Sequence, residues 1–245
     1  IAFDQPLSFS STSRVNSMWN MFSGAVSFNQ QLVFDTGSVT KLDYVLANAD
    51  DFDLLLAFDT SSVVEMAGAF FHIDRFNQPL DWDTSAVTSM SEMFKSAASF
   101  NQAIGFDTGN VERMHRMFCE ADAFDGPTPF DLSKVTQIYG MFEGANSFNH
   151  QIDLQTLNVS DLNSMFRWSK SFNQPVTLDS SSTTNMWGMF EEAQAFNQPL
   201  AFDVSSTADM TNIFAGATSL SDCNKGQIHD SLSASTAWAA AGYDD

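Results

Sequence analysis

One regularly spaced set of side chains in the sequence could do chemistry, a column of aspartates that recurs at intervals of 24 residues or twice that. Its members are Asp35, Asp59, Asp83, Asp107, Asp131, Asp179 and Asp203. Carboxylate oxygens are ligands that Ca²⁺ prefers, so neighbouring aspartates could bridge Ca²⁺ ions. Each carboxylate could instead accept a backbone N–H bond at a turn two residues on. We favour this second role, because a Ca²⁺ site gathers several oxygen ligands and each repeat offers one regular carboxylate.

Other residue types with chemical potential do not form a recognisable site. The four histidines, His72, His115, His150 and His229, fall at unrelated positions of the repeat and do not predict a metal-ligand set. The sequence has no glycine-rich phosphate loop and no grouping of Ser, His and Asp that would indicate nucleophilic catalysis. It therefore predicts a protein that is not an enzyme and needs no cofactor, with Ca²⁺ as the one alternative.

The elements that position these side chains are tandem repeats of about 24 residues. Phenylalanine opens each copy, and the register is unbroken apart from one extra residue in the first: Phe3, Phe28, Phe52, Phe76, Phe100, Phe124, Phe148, Phe172 and Phe196. The other phenylalanines except Phe71 lie six or eighteen residues after these, and the methionines occupy two further columns. Such ladders predict a shared core formed by stacked copies.

Within one copy, Leu80 and Trp82 alternate with aspartates, which predicts a short strand with one buried face. After the helix-capping residues Asp83 to Ser85, apolar side chains from Val87 to Ala97 follow at helical spacing. The sequence thus predicts an α/β solenoid of leucine-rich-repeat type, with about nine strand-plus-short-helix units and parallel strands. We assign residues 1–219 to these repeats and residues 220–245 to a C-terminal cap, because the pattern stops at Leu220.

Composition restricts the partners. The chain has 30 acidic and 10 basic residues and a net charge of −20, which argues against nucleic acid or an anionic membrane surface as a ligand. No apolar stretch reaches the roughly 20 residues that cross a bilayer, so direct membrane insertion is not expected. Two cysteines four repeats apart, Cys119 and Cys223, predict free thiols rather than a disulfide.

The columns, clearest in the run FNQPLDWDTSAVTSMSEMF from Phe76, resemble the repeat of the BspA-like leucine-rich-repeat group of bacterial surface proteins. The same repeat is also known as a lipoprotein-associated domain of unknown function in Mycoplasma and Listeria. The resemblance covers about 220 residues. It implies a solenoid on a secreted or surface-anchored protein, with adhesion or partner binding and no catalytic motif.

Two exposed surfaces are candidate contact sites, since a solenoid binds through the residues that it displays. On the predicted helix side, aromatic residues share one column: Trp19, His115, Tyr139 and Trp187. On the strand side, outward positions hold small or apolar residues, among them Val33, Leu55 and Ala57. We expect an extracellular or cell-surface module that binds a protein or glycan over an extended area. The alternative is a structural rod that Ca²⁺ stabilises through the aspartate column.

Overall fold

The structure is a computed structural model, and it describes residues 3–9, 11–154 and 159–242. Backbone hydrogen bonds join each repeat to the next in a constant register. In the second repeat, every second N–H group from Leu42 to Asn48 donates to a carbonyl oxygen 23 residues later, at 2.8–3.0 Å. The N–H groups between them close turns within their own repeat, as Val45 does with the carbonyl of Leu42 at 3.1 Å. Half of the donors in this segment therefore hold neighbouring repeats together.

Parallel pairing follows the same 24-residue step. Isolated parallel bridges connect the residue thirteen positions after each start, running from Ser17 through Lys41 and Glu65 to Gln137, and again from Asp161 to Asp209. Among the described residues only two strands are regular, β1 at Asp153–Leu154 and β2 at Thr177–Leu178, and these pair in parallel with Leu154 opposite Leu178. Elsewhere the predicted strand positions of the described repeats carry no regular strand but alternate in burial, since Leu80 and Trp82 are buried and Asp81 and Asp83 are exposed.

The predicted short helix of each repeat is wrong. In the described repeats this segment is a series of turns that contains two residues with positive φ, such as Glu92 and Ser96 at 56° each. An α-helix needs each N–H to bond four residues back within the same chain segment. Here alternate N–H groups bond to the next repeat instead, and left-handed residues interrupt the right-handed turns. The burial that the spacing predicted is nevertheless present, since Val87, Met90 and Met93 are buried.

Phenylalanine stacks form the core. The opening residues from Phe28 to Phe196 lie above one another with ring centroids 6.0–6.2 Å apart. A second stack, from Phe70 to Phe214, has spacings of 5.3–5.9 Å. Its rings contact the phenylalanine that opens the next repeat, at 3.9 Å between the ring centroids of Phe142 and Phe148. The prediction that the phenylalanine columns face inward is confirmed for most of their members. Phe3 and Phe9 of the first repeat are exposed, and Phe34 and Phe130 are half-buried.

Two helices follow the last repeat. Helix α1 covers Asp222–Leu232 and α2 covers Thr236–Ala240. Ser221 caps α1 by accepting the N–H of Asn224, and the buried side chains Ile228 and Leu232 face the core. Trp238 of α2 contacts the ring of Phe214 edge-on at 6.3 Å. In the described part of the chain no helix is long and apolar enough to cross a membrane.

Candidate functional site

The aspartate column forms a series of identical turns. The Oδ1 atom of each aspartate accepts the backbone N–H two residues on, at 3.0 Å from Ser85 to Asp83 and at 2.9–3.3 Å in the other six. At Asp59 and Asp83 the serine hydroxyl of the turn donates as well, at 2.6 and 2.7 Å. This arrangement is the capping role that we favoured over Ca²⁺ bridging.

The hydrogen bonds also determine how these carboxylates titrate. Donation from the Ser61 side chain and backbone lowers the pKa of Asp59, although the neighbouring Asp83 opposes the shift. The same serine bonds lower the pKa of Asp83, Asp131, Asp179 and Asp203. All five are fully exposed, so water screens the repulsion between them. Within residues 3–9, 11–154 and 159–242, no group of three or more His, Cys, Asp or Glu side chains could hold a metal ion. Ca²⁺ bridging stays a prediction of the sequence.

An asparagine ladder lies one residue after the start of each repeat. The Oδ1 atom of Asn77 accepts the backbone N–H of Asn101 at 2.9 Å, and Asn173 accepts that of Asn197 at 2.8 Å. Aspartates stand in at Asp53 and other copies and accept in the same way, at 3.0 Å. The ladder ends at the cap, where the N–H of Ser221 donates to Asn197. This column is therefore structural, and its oxygens are occupied.

The strand-side candidates are exposed as predicted. Val33 is 84% exposed and Leu55 is 56% exposed, and Ala57 beside them is also exposed. They belong to two outward columns of mostly small, uncharged residues, which include Pro79, Pro127, Pro175 and Pro199. This surface, which we call the strand face, offers little hydrogen-bonding capacity beyond its backbone.

The aromatic column divides into one isolated residue and one organised group. Trp19 is 64% exposed in the first repeat, far from the others in the chain. Tyr139 and Trp187 are half-buried, and the ring of His115 stacks on Tyr139 with centroids 4.8 Å apart. The structure thus brings His115 and Tyr139 together and separates Trp19 from them.

Sequence reasoning missed the residues that complete the organised group. The Arg167 guanidinium lies 3.8 Å from the ring centroid of Trp168 and 4.8 Å from that of Trp187. It also forms ion pairs with Glu191 at 2.6 Å and Glu143 at 3.5 Å, which belong to the repeats on either side. Five charged or aromatic residues from three repeats are therefore held in one cluster, with Trp168 40% exposed.

We call this surface the turn face, and define it by His115, Arg116, Tyr139, Arg167, Trp168 and Trp187. Arg116 lies over the ring of Tyr139 at 5.7 Å and contacts the backbone at Gly140, where an added Cβ would approach its Cγ to 3.2 Å. Burial lowers the pKa of His115, with a smaller contribution in the same direction from Arg116 and Arg113 and an opposing one from Glu92. The imidazole is therefore neutral at pH 7. The only indication of these binding candidates in the sequence was that their positions in the repeat hold different residue types from copy to copy, whereas the core positions do not.

Both cysteines are free, as the sequence predicted. Cys119 is buried with its Sγ atom 4.0 Å from Oε2 of Glu143, and burial together with Glu143 raises the pKa of its thiol to about 12. The thiolate that would act as a nucleophile or metal ligand is therefore scarce at neutral pH. Cys223 is exposed in helix α1.

One family of known proteins matches the chain. The model of the family described as "Mycoplasma protein of unknown function, DUF285" matches residues 1–80, 54–153 and 127–227, which together span most of the 245 residues. The three overlapping matches agree with a repeated sequence. No curated protein and no solved structure matches the chain.

Proposed function

The chain belongs to this DUF285 family of repeat proteins, and we propose that it is a non-catalytic module that binds a protein or glycan at a cell surface through its turn face. The observation that carries the proposal is the Arg167 cluster. Trp, Tyr and Arg dominate the energetic centres of protein interfaces, because they combine large contact area with polar atoms. Trp168, Trp187 and Arg167 meet here on a partly exposed surface.

The cluster is also pre-organised. Two ion pairs and two rings fix the Arg167 side chain, so little rotamer freedom remains to be lost when a partner binds. A purely structural role would require only the ion pairs, whereas Trp168 leaves two fifths of its surface in water. The strand face has no comparable set of polar and aromatic groups, and for this reason we place the contact on the turn face.

We further propose that residues 1–219 are a leucine-rich-repeat-like solenoid of the BspA-like surface group, elongated along the stack of repeats, and that residues 220–245 cap it. The 24-residue hydrogen-bond register and the continuous phenylalanine stacks support this arrangement. An elongated array presents one long surface to a partner, as adhesion requires. Small-angle X-ray scattering should give a rod-shaped particle, and a spherical particle would contradict the solenoid.

The binding proposal is tested on arrays of immobilised glycans and extracellular proteins, followed by titration of each hit. The double variant Trp168→Ala and Trp187→Ala should weaken binding by about tenfold or more, as loss of central aromatic contacts does. The matched control changes the strand face instead, with Val33→Ser and Leu55→Ala, and should leave affinity unchanged. Circular dichroism checks that both variants fold.

Two results would count against the proposal. If the strand-face variant lost binding and the turn-face variant did not, the contact would lie on the other surface. If no array component bound the folded wild-type chain, the function as a binding module would be unsupported.

A further inference from the structure

The chain has only ten lysine and arginine residues, and in the described residues half of them are paired with a carboxylate. Five of them form ion pairs with carboxylates at 2.6–3.8 Å: Lys41, Arg75, Lys95, Arg167 and Lys225. Among the described residues, Arg14, Arg113, Arg116 and Lys170 have neither an ion pair nor a side-chain hydrogen bond, and of these only Arg116 has a buried nitrogen without a partner. Arg113 lies three positions before Arg116 in the same repeat, so two unpaired arginines occur together on a protein of net charge −20.

Two acidic side chains of this region, Glu92 near His115 and Glu143 near Arg116, already have partners. Glu92 binds Lys95 at 3.6 Å and accepts the Tyr44 hydroxyl at 3.2 Å. Glu143 is paired with Arg167 at 3.5 Å. Neither guanidinium is therefore paired with a carboxylate. Burial is the main cause of the lowered pKa of His115, and Arg116 and Arg113 add to it against the opposing effect of Glu92.

Arg116 is held in place although nothing neutralises it. Its stem contacts Gly140, its guanidinium lies over Tyr139, and its Nε atom is buried without a hydrogen-bond partner. A buried donor without an acceptor is unfavourable, so the structure retains it at a cost. A guanidinium presents parallel N–H donors that match a carboxylate, and a fixed one loses less entropy on binding.

We propose that Arg116, with Arg113 beside it, binds the carboxylate of an acidic sugar at the end of a glycan. This inference rests on the turn face being the binding surface. Besides the paired Glu92 and Glu143, the neighbouring side chains carry hydroxyl, amide and imidazole groups, which suit the hydroxyl groups of a sugar: Tyr139 under Arg116, Gln137 opposite Arg113, and His115 with its partner Ser91. His115 already exchanges a hydrogen bond with Ser91 at 3.1 Å, which fixes its ring beside Arg116.

A single carboxylate fits better than a polyanion. The acidic surface repels a densely charged chain over its whole length, whereas one carboxylate interacts with the arginines within a Debye length of about 8 Å. A protein partner would be expected to anchor a side chain in a pocket. Neither Arg116 nor Arg113 lines any of the five main pockets in the described residues, so the surface there offers polar groups but no apolar pocket for such an anchor.

The test uses four probes with the full chain at an ionic strength of about 0.15 M, where the Debye length is about 8 Å: sialyllactose, lactose, a heparin hexasaccharide and a glutamate-rich peptide. Titration calorimetry should show that sialyllactose binds and that lactose binds at least about tenfold more weakly, a difference that one charge-assisted hydrogen bond supports. Arg116→Gln should reduce sialyllactose affinity about tenfold. Arg116→Lys keeps the charge but lacks the fork, so it should restore only part of that loss. The matched control Arg75→Gln should have no effect.

Each other outcome overturns the inference in a distinguishable way. Equal binding of lactose and sialyllactose would show that the carboxylate is not recognised, while the turn face could still bind neutral glycans. Tighter binding of heparin or of the peptide, lost in Arg116→Gln, would assign the arginines to a polyanion or a protein segment. Failure of every probe, with array hits that still require Trp168 and Trp187, would remove the acidic sugar and keep the proposed function.

Discussion

Single residues in this protein adopt a backbone conformation that their side chains disfavour. Each repeat contains two left-handed residues, at the positions occupied by Glu92 and Ser96 or by Gly140 and Gly144. Glycine adopts this conformation freely, whereas other residues lose about 1–2 kcal/mol. Twelve non-glycine residues in the described part of the chain accept that loss, because the turn directs alternate N–H groups to the neighbouring repeat.

We predict that Ser164→Gly stabilises the protein. Ser164 has φ of 55° and is buried, so glycine relieves strain without removing a large side chain. The free energy of unfolding in urea should rise by up to about 1 kcal/mol, since the added chain entropy of unfolded glycine offsets part of the gain. The control is Ser147→Gly, at an exposed position that lacks positive φ, which should lower stability. A loss of stability in Ser164→Gly equal to that in the control would contradict the strain argument.

These residues explain why the sequence predicted a helix that does not exist. The spacing of Val87, Met90 and Met93 is compatible with a helix and with a turn segment that buries the same positions, and burial alone cannot distinguish the two. Glycine indicates a left-handed site at Gly68 and Gly140, but Glu92 and Arg116 occupy the equivalent sites of other repeats and give no such indication. The decisive hydrogen bonds lie between repeats, and no local pattern reports them.

At the scale of the element, phenylalanine stacking connects neighbouring repeats. The ring centroid of Phe142 lies 3.9 Å from that of Phe148, which opens the next repeat. Phe142 also lies between Phe118 and Phe166, with ring centroids 5.6 and 5.9 Å away. Because each repeat contacts only its neighbours, one side chain contributes to two interfaces. The column positions were readable from the sequence, since identical residues at identical spacing must be buried together when copies stack.

We predict that Phe142→Ala lowers the free energy of unfolding by about 3–5 kcal/mol, the usual cost of truncating a buried phenylalanine. Urea denaturation followed by tryptophan fluorescence measures it. Phe130→Ala is the control, because Phe130 is only half-buried at the edge of the stack, 6.5 Å from Phe118. Equal losses in the two variants would show that the stacks do not carry the core.

Across the whole molecule, the sequence was more informative about the core than about the binding surface. Repetition exposes a core because every copy must satisfy the same packing. A binding surface depends on residues that differ between copies, such as Arg167 and Trp168, and the sequence gives no reason to combine them. Only the structure shows that Glu143 and Glu191, from the two neighbouring repeats, meet on one guanidinium.

The aspartate column recurs in seven repeats on the exposed surface, and its behaviour distinguishes a Ca²⁺-stabilised rod from a metal-independent one. Each carboxylate already accepts hydrogen bonds from its own turn, and serine donors keep the pKa of Asp59 and Asp83 low without a metal. We therefore predict that the melting temperatures in about 1 mM Ca²⁺ and in about 1 mM EDTA, measured at matched ionic strength, agree to within about 2 °C. Matched ionic strength is essential because any salt screens a net charge of −20.

Mg²⁺ at the same concentration is the control for nonspecific screening by divalent ions. A ligand at 100 times its Kd adds about 2.7 kcal/mol of stability. A rise of many degrees in the melting temperature with Ca²⁺ but not with Mg²⁺ would therefore require Ca²⁺ sites that bridge the column. Loss of that rise in Asp83→Asn, which keeps one acceptor oxygen for Ser85 but removes the charge, would then place the ion between neighbouring repeats.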